Sequence, residues 1–292
     1  MGFRNIKNEK GLPRHQAGQA VLIVLLSLSV VLIIVLFVMS RSVTDISLST
    51  KEEDSLRAFS AAEAGVERAL VIGNSSGTLD SANFNAYVTA FARGATGVIY
   101  PLSLKSGENA TFWFRRSGEG THFTGSQVKY CWGDLGTANN TAESPALEVT
   151  IYYTTTPNNL TTLRIARATL DPNTSRRGTN SFGVGNDSTC TVGGESFEFQ
   201  STLNLASLGI SGFATAGVLQ YSTAKILYNT TTSHKIAIDV SGTGAALPSQ
   251  GDKVTSDGSY GSSNRSVEVY QLHPEAPPIF ANAIFSTSGI IK

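Results

Sequence analysis

The pattern of apolar and polar positions divides the chain near residue 40. Residues 19–39 read QAVLIVLLSLSVVLIIVLFVM and carry no charged side chain. About 20 helical residues, at a rise of 1.5 Å each, cross the roughly 30 Å hydrocarbon core of a bilayer. The run is also longer than the ~7–15 apolar residues of an ordinary secretory signal. The pattern therefore predicts a membrane-spanning helix, in which the hydroxyls of Ser27 and Ser29 bond back to helix carbonyls.

We expect this helix to continue beyond the membrane. Neither Pro nor Gly occurs between Gln19 and Ala64, and the stretch RAFSAAEAGVERAL is rich in alanine, the strongest helix former. The segment IGNSSG, which follows Val71, then ends the helix. The prediction is one helix over about residues 19–72, with a stripe of large apolar side chains that a globular domain covers. The stripe consists of Leu56, Phe59, Val66 and Leu70.

From residue 73 onward the pattern changes to short alternating runs that favour strands. They contain β-branched and aromatic residues and are separated by Gly, Asn, Pro and Ser, which is typical of an antiparallel β domain. The runs are NATFWFRR, QVKYCW, ALEVTIYYTT, LRIARATL, ESFEFQSTLNL, KILYNTT, KIAIDVSG and RSVEVYQLH. The segment TLDSANFNAYVTAFARGA predicts a short helix, and residues 170–189 predict a long polar loop. The fold class is therefore α+β, with a long N-terminal helix packed on a β-rich head.

A weak sequence similarity between two segments of the head, here called the echo, is consistent with two β modules. IYYTT at Ile151 followed by LRIA resembles LYNTT at Leu227 followed by HKIA. One interpretation divides the head into modules at residues 73–194 and 195–292. The other is a single larger sheet packed on the helix, with the echo a coincidence between Thr-rich hairpins.

Composition narrows the classes of function. The formal net charge is zero and only 15% of residues are charged, which suits a β-rich protein that works outside the cell. No basic block interleaved with aromatic residues is present, so nucleic-acid binding has no support. The chain lacks HExxH, G-x-S-x-G, P-loop and CxxC motifs. Glu195 and Glu198 fall on opposite faces of a predicted strand, so we expect no catalytic site, no metal and no cofactor.

The two cysteines, Cys131 and Cys190, leave two alternatives open. In an oxidising compartment they form one disulfide. Otherwise they are two buried free thiols.

The N-terminal leader is basic and ends at a glycine. Arg4, Lys7, Lys10 and Arg14 precede Gly18 with one acidic residue among them, whereas acidic residues outnumber basic ones just after the span. This asymmetry predicts a single-pass membrane protein whose N-terminus is cytoplasmic and whose head is extracytoplasmic. A basic leader ending in Gly directly before an apolar run is similar to a prepilin-type signal.

The helix beyond the span makes this similarity more specific. The motif AF-S-AAEA, at residues 58–64, resembles the N-terminal region of PilX-type type IV pilus assembly proteins, and the tip pseudopilins of the general secretion pathway look alike at this end. The resemblance covers roughly residues 18–72. It implies that prepilin peptidase removes the leader at residues 1–18, between Gly18 and Gln19. It also implies that the helix at residues 19–72 contacts membrane lipid and the helices of other pilin-like subunits. Motif residues expected to pack on the head are Phe59, Ala62, Glu63 and Val66.

One position departs from the pattern of major pilins. These carry Glu at the fifth mature position, where it neutralises the N-terminal amine of a neighbouring subunit, and the fifth residue after Gly18 is Ile23. The departure favours a minor or tip subunit, on the cell surface, that is involved in filament assembly or surface interaction. The alternative is a signal-anchored extracellular β-domain adhesin or ligand-binding protein that never enters a filament. Cleavage after Gly18 distinguishes the two.

Overall fold

The fold is known from a computed structural model, which describes residues 16–186 and 188–275. Residues 1–15 of the predicted leader lie outside the described residues, as does the end of the predicted second module. The chain is α+β, as the sequence predicts, with one long helix and antiparallel β-sheets.

The long helix, α1, spans Gln16–Ile72 without interruption. Its end follows from Gly73, whose φ of +82° lies in the left-handed region that glycine adopts without a steric penalty. The Gly73 amide donates to the carbonyl of Ala69 at 2.9 Å, which closes the last turn. The predicted single helix through residues 19–72 is therefore confirmed.

Fourteen strands and a second helix follow α1 in the described residues. Their bounds are β1 (Ser75–Leu79), β2 (Ala82–Phe91), β3 (Gly97–Ile99), β4 (Asn109–Trp113), β5 (Gln127–Asp134), β6 (Ala146–Thr154), β7 (Leu163–Asp171), α2 (Thr174–Asn180), β8 (Gly183–Val184), β9 (Cys190–Val192), β10 (Glu195–Asn204), β11 (Leu219–Leu227), β12 (Ile236–Asp239), β13 (Gly251–Tyr260) and β14 (Ser263–Leu272). They form three sheets, with strand orders β1-β2-β13-β14, β3-β12-β5-β10-β9 and β4-β11-β6-β7-β8.

The chain forms two compact units. The first contains α1 up to Gly65 together with Ser76–Asn85 and Asp257–Val267, which are parts of two hairpins. The second contains Val66–Ser75, Ala86–Ser256 and the chain from Glu268.

The second unit has its main core between its two five-stranded sheets. Tyr130 and Trp132 of β5 contribute from one sheet, and Phe112 of β4, Ile151 of β6 and Ile226 of β11 contribute from the other. All five side chains are fully buried. Alternate residues on these strands face outward, so the period-2 pattern of the sequence corresponds to the two faces of each sheet.

The predicted boundary between two β modules at residue 194 is wrong. β10 lies after that boundary but pairs with β5 before it, with Phe199 opposite Trp132. β11 likewise pairs with β4 and β6. The echoed segments are not equivalent either, because β6 and β7 form a hairpin while β11 and β12 belong to different sheets. The pairing of strands distant in the chain overrides their similarity in composition.

Two local predictions are also wrong. The segment predicted as a short helix forms β1 and β2, joined by Asp80 and Ser81 with φ of +47° and +70°. Positive φ at both central residues is typical of the type I′ turn that fits the twist of a hairpin. In the predicted polar loop, α2 begins after Asn173, whose side chain accepts the Arg176 amide at 3.1 Å and so caps the helix.

A buried ion pair fixes α2 to the sheet. Arg176 donates to both carboxylate oxygens of Asp171, each at 2.8 Å, and its guanidinium stacks on the ring of Tyr228. Burial acts to raise the pKa of Asp171, but donors from Arg176, Asn173 and Asn180 outweigh it, so the pKa lies below its usual value. The carboxylate is therefore ionised in the folded protein at neutral pH.

The cysteines are joined in one disulfide. Cys131 lies on β5 and Cys190 on β9, and their Cα atoms are 5.9 Å apart. Both contribute to a small second cluster with Val192, Phe197 and Ala237. The bond thus ties the β9–β10 hairpin to the outer face of its sheet.

Candidate membrane and assembly helix

The first part of α1 is apolar and exposed on every side. From Val21 to Met39 each large apolar side chain is between 46% and 66% exposed. This segment is long and apolar enough to cross a membrane. A surface that is apolar on every side suits the hydrocarbon core of a bilayer, which is consistent with a single-pass membrane protein.

The polar groups within this segment are satisfied by the helix itself. The Ser27 hydroxyl donates to the Val24 carbonyl and the Ser29 hydroxyl to the Leu26 carbonyl, both at 2.9 Å. These bonds confirm the expected back-bonding and remove the cost of placing a hydroxyl in hydrocarbon.

Further along, α1 packs in the first unit through its smallest side chains. Ala58, Ala61 and Ala62 are fully buried. Ala58 and Ala62 face Gly258 on β13, where an added Cβ would lie 2.7 Å from the Ala62 nitrogen and also too close to the Ala58 carbonyl. Helix backbone and strand backbone are therefore in direct contact, which is possible only because Gly258 has no side chain.

A small apolar cluster borders this contact. Ala61 packs with Ala82 and Phe84 of β2, and the ring of Tyr260 on β13 lies against them. Alanine is both a strong helix former and short enough for this approach. The alanines of the AAEA motif thus serve the helix and the packing at the same time.

Polar contacts fix the tip of the β13–β14 hairpin on the preceding helical turns. Arg265 donates to the Ser55 hydroxyl from Nε at 2.8 Å and from Nη2 at 2.6 Å. Arg57 lies over the Tyr260 ring, with its Cζ 4.9 Å from the centroid, and its Nη1 donates to the Tyr260 hydroxyl at 3.2 Å. These bonds set the helix position along the hairpin and complement the alanine contact.

The predicted large-residue stripe is not the packing face. Phe59 is 43% exposed and Leu56 is 62% exposed, and Glu63 also faces solvent. Of the four motif residues, only Ala62 and Val66 are buried. The prediction was wrong for Phe59 and Glu63 because the close approach at Gly258 leaves no room for a large side chain. The glycine that decides this lies some 200 residues away in the sequence, so helical periodicity could not reveal it.

Beyond residue 40, α1 therefore has two different faces. One consists of small residues and is covered by the hairpins of the first unit. The other still presents Leu56 and Phe59, which are 62% and 43% exposed. Between the membrane-length segment and this region, Val43 and Ile46 are also exposed, at 68% and 65%.

The predicted processing residues lie near the start of the helix. Gly18 and Gln19 both fall within α1, which begins at Gln16. Ile23, the residue that stands in place of the usual carboxylate, is 63% exposed.

Glu195 and Glu198, the carboxylates considered in the sequence, have ordinary partners, and so does the buried His234. Glu195 pairs with Lys235 at 2.8 Å, and Glu198 accepts the backbone amide of Gly136 at 2.7 Å. His234 is buried and lies 3.3 Å from Asp134. Within residues 16–186 and 188–275, no three His, Cys, Asp or Glu side chains are grouped as metal ligands would be.

Comparison with known proteins adds no family assignment. The two faces of α1 and its membrane-length segment are therefore the features from which function can be inferred. No protein-family model matches the chain, and no curated protein sequence is significantly similar to it.

Proposed function

We propose that this chain is a minor pilin-like subunit of a type IV pilus or a related secretion filament. The observation that carries the proposal is the unbroken helix Gln16–Ile72, which joins a membrane-length apolar segment to a part packed on β hairpins. The prepilin-like junction at Gly18 and the AF-S-AAEA motif support it from the sequence. In this role α1 anchors the subunit and packs among the helices of its neighbours.

The continuity of the helix distinguishes this role from simple anchoring. A protein that only needs a membrane anchor has no need of a helix that continues without interruption into its head. A helix of 57 residues is about 85 Å long, well beyond the thickness of a bilayer core. Subunits that stack by their helices need a helix that continues beyond the membrane.

The exposed face of α1 supports contact with other subunits above the membrane. Leu56 and Phe59 lie beside the hairpin contact and yet point to solvent. Covering a Leu or Phe side chain is worth about 1.5–3 kcal/mol. A neighbouring helix provides such cover, whereas an isolated anchored protein leaves both residues in water.

The residue at the fifth mature position supports a minor subunit. With Ile23 there, this chain offers no carboxylate to a neighbour's N-terminal amine. A charge that is removed from water without a partner is unfavourable. A filament built only of this chain would leave the amine unpaired at each interface, whereas a single copy among other pilins would not.

The disulfide supports an extracytoplasmic head. Disulfides persist in oxidising compartments and are rare in the cytosol. The bond between Cys131 and Cys190 therefore agrees with the orientation expected from the charge asymmetry around the span.

Site-specific photo-crosslinking in the native host tests the helix contact. A photoreactive phenylalanine analogue at Phe59, which is 43% exposed, should yield a covalent product with another pilin-like subunit. The matched control is the same analogue at Tyr87, a strand residue that is 39% exposed and should yield no such product. Equal crosslinking at the two positions, or none at Phe59 in cells that make filaments, would contradict the proposal and favour the signal-anchored adhesin.

A further inference from the structure

The side of α1 that faces away from its buried alanines carries a line of exposed residues above the membrane-length segment. Asp45, Glu52, Leu56, Phe59 and Glu63 follow one another at spacings of 7, 4, 3 and 4 residues, which places them on one side of a helix. All five are exposed, and the two ends of the line are about 27 Å apart along the helix. We call these five residues the outer stripe.

The outer stripe has an apolar centre between acidic ends. Leu56 and Phe59 form the centre, at 62% and 43% exposed. Glu52 lies one turn before Leu56, and Glu63 lies one turn after Phe59. Asp45 adds a further carboxylate on the side of the membrane. An apolar centre bordered by polar groups is the usual arrangement of a surface that binds another protein.

The basic residues of this part of α1 lie on a different side. Lys51 and Arg57 are the basic residues of the sequence between positions 42 and 65. Arg57 donates to the Tyr260 hydroxyl at 3.2 Å and so turns toward the β13–β14 hairpin. Lys51 precedes Ser55 by one turn, and Ser55 is bound by the same hairpin, so Lys51 starts on that side of the helix as well. The acidic charge of the outer stripe is therefore not balanced by bases of α1 beside it.

The helix of a second copy of this chain does not fit the outer stripe. Two outer stripes placed together would bring carboxylates against carboxylates, and like charges across an interface are unfavourable. The side of a second α1 that carries Lys51 and Arg57 packs on its own hairpins. A helix with complementary charge must therefore belong to a different protein.

We propose that the outer stripe binds a helix of another pilin-like subunit that carries Lys or Arg on both sides of an apolar centre. This inference rests on the proposed function, because that function supplies the neighbouring helix. The apolar residues of the partner cover Leu56 and Phe59, and its basic residues pair with Glu52 and Glu63. The apolar contact favours association with any suitable helix, whereas the charge pairs select the subunit and fix the register of the two helices.

Charge reversal combined with the photo-crosslink at Phe59 tests this pairing in the native host. Glu63→Lys should lower the yield of the crosslinked product by about 3- to 10-fold, because it turns an attraction beside Phe59 into a repulsion. Glu63→Gln should lower the yield less, because it only removes the attraction. The matched control is Asp257→Lys, which reverses the charge of an exposed residue on β13 and should leave the yield unchanged.

The identity of the crosslinked peptide gives a second, independent measurement. Mass spectrometry should find a Lys or Arg within about one helical turn of the residue that the Phe59 analogue attaches to. Replacing that basic residue by Glu should restore the crosslinked product of Glu63→Lys. This rescue also shows that the Glu63→Lys variant folds and reaches its partner.

The possible failures of this inference and of the proposed function are distinguishable. A Phe59 product whose yield is the same in Glu63→Lys as in Asp257→Lys would overturn the charge pairing and leave the proposed function standing. Loss of the product without rescue by the reversed partner charge would also overturn the pairing. A product that joins two copies of this chain would overturn the choice of partner. The absence of any Phe59 product in cells that make filaments would contradict the proposed function and this inference with it.

Discussion

Replacing Gly258 by alanine should separate α1 from the hairpin that it packs on. The added Cβ would lie 2.7 Å from the Ala62 nitrogen and 3.0 Å from the Ala62 Cβ, and it would also collide with the Ala58 carbonyl. Two of these three atoms belong to helix backbone, which cannot move aside as a flexible side chain does. Overpacking of this kind costs about 1–3 kcal/mol. Replacing Gly by Ala also reduces the conformational entropy of the unfolded chain, but this stabilises the folded protein by only about 0.4–1 kcal/mol. The net effect is therefore destabilising.

Hydrogen exchange of the detergent-solubilised full chain measures this effect. A loss of about 1–3 kcal/mol should speed exchange in residues 54–62 and 257–267 by about 5- to 150-fold. The control is Gly120→Ala, because an added Cβ at Gly120 meets no atom within 4 Å and should leave exchange unchanged. If Gly258→Ala exchanges like the original protein, the backbone contact between helix and strand is not tight and the explanation of the alanine face fails.

Three further results are expected. Phe59→Ser should change the free energy of unfolding by no more than about 0.5 kcal/mol, as for other surface changes, whereas Ala62→Phe should lower it by about 1–3 kcal/mol or more. If hydrogen exchange shows that Phe59→Ser is the more destabilising variant, the large-residue stripe is the packing face after all. Replacing both Cys131 and Cys190 by serine should lower the free energy of unfolding by about 4 kcal/mol in urea titrations, because the bond joins residues 59 apart in sequence and so restricts the unfolded chain. An unchanged urea midpoint would show that the disulfide does not stabilise the fold. Folding lowers the pKa of Asp171, so its stabilising effect is present above its ordinary pKa of about 3.9 and is lost as the pH falls through the folded value. Asp171→Asn should therefore make the loss of stability below about pH 4 less steep, and identical acid unfolding transitions in the two proteins would contradict this.

The sequence was sufficient for elements whose pattern is local. The span at residues 19–39 is uniformly apolar, and the absence of Pro and Gly up to Ala64 carries the helix onward, so α1 could be predicted to its end at Gly73. The eight alternating runs likewise correspond to strands, because a half-buried strand shows its two faces with a period of two.

Three of the failures come from contacts between distant residues. The sequence predicts that Phe59 is buried, because large apolar residues usually are. The close backbone contact at Gly258 on β13 leaves room only for the alanines, so Phe59 lies on an exposed face. The segment that became β2 contains several alanines and was predicted as a helix, but its pairing in the sheet overrides that propensity. The split into two modules failed because β5 and β10 pair across it, which no local pattern encodes.

Intact-mass and quantitative mass spectrometry of sheared surface filaments tests the central claim most directly. The account predicts that this chain is present in the filaments at low stoichiometry and that it begins at Gln19, without residues 1–18. It also predicts that a bulky residue in place of Gly18 leaves the leader attached and removes the chain from the filaments. A chain that retains Met1 in the membrane fraction and is absent from filaments, in a host with a working prepilin peptidase, would contradict the account.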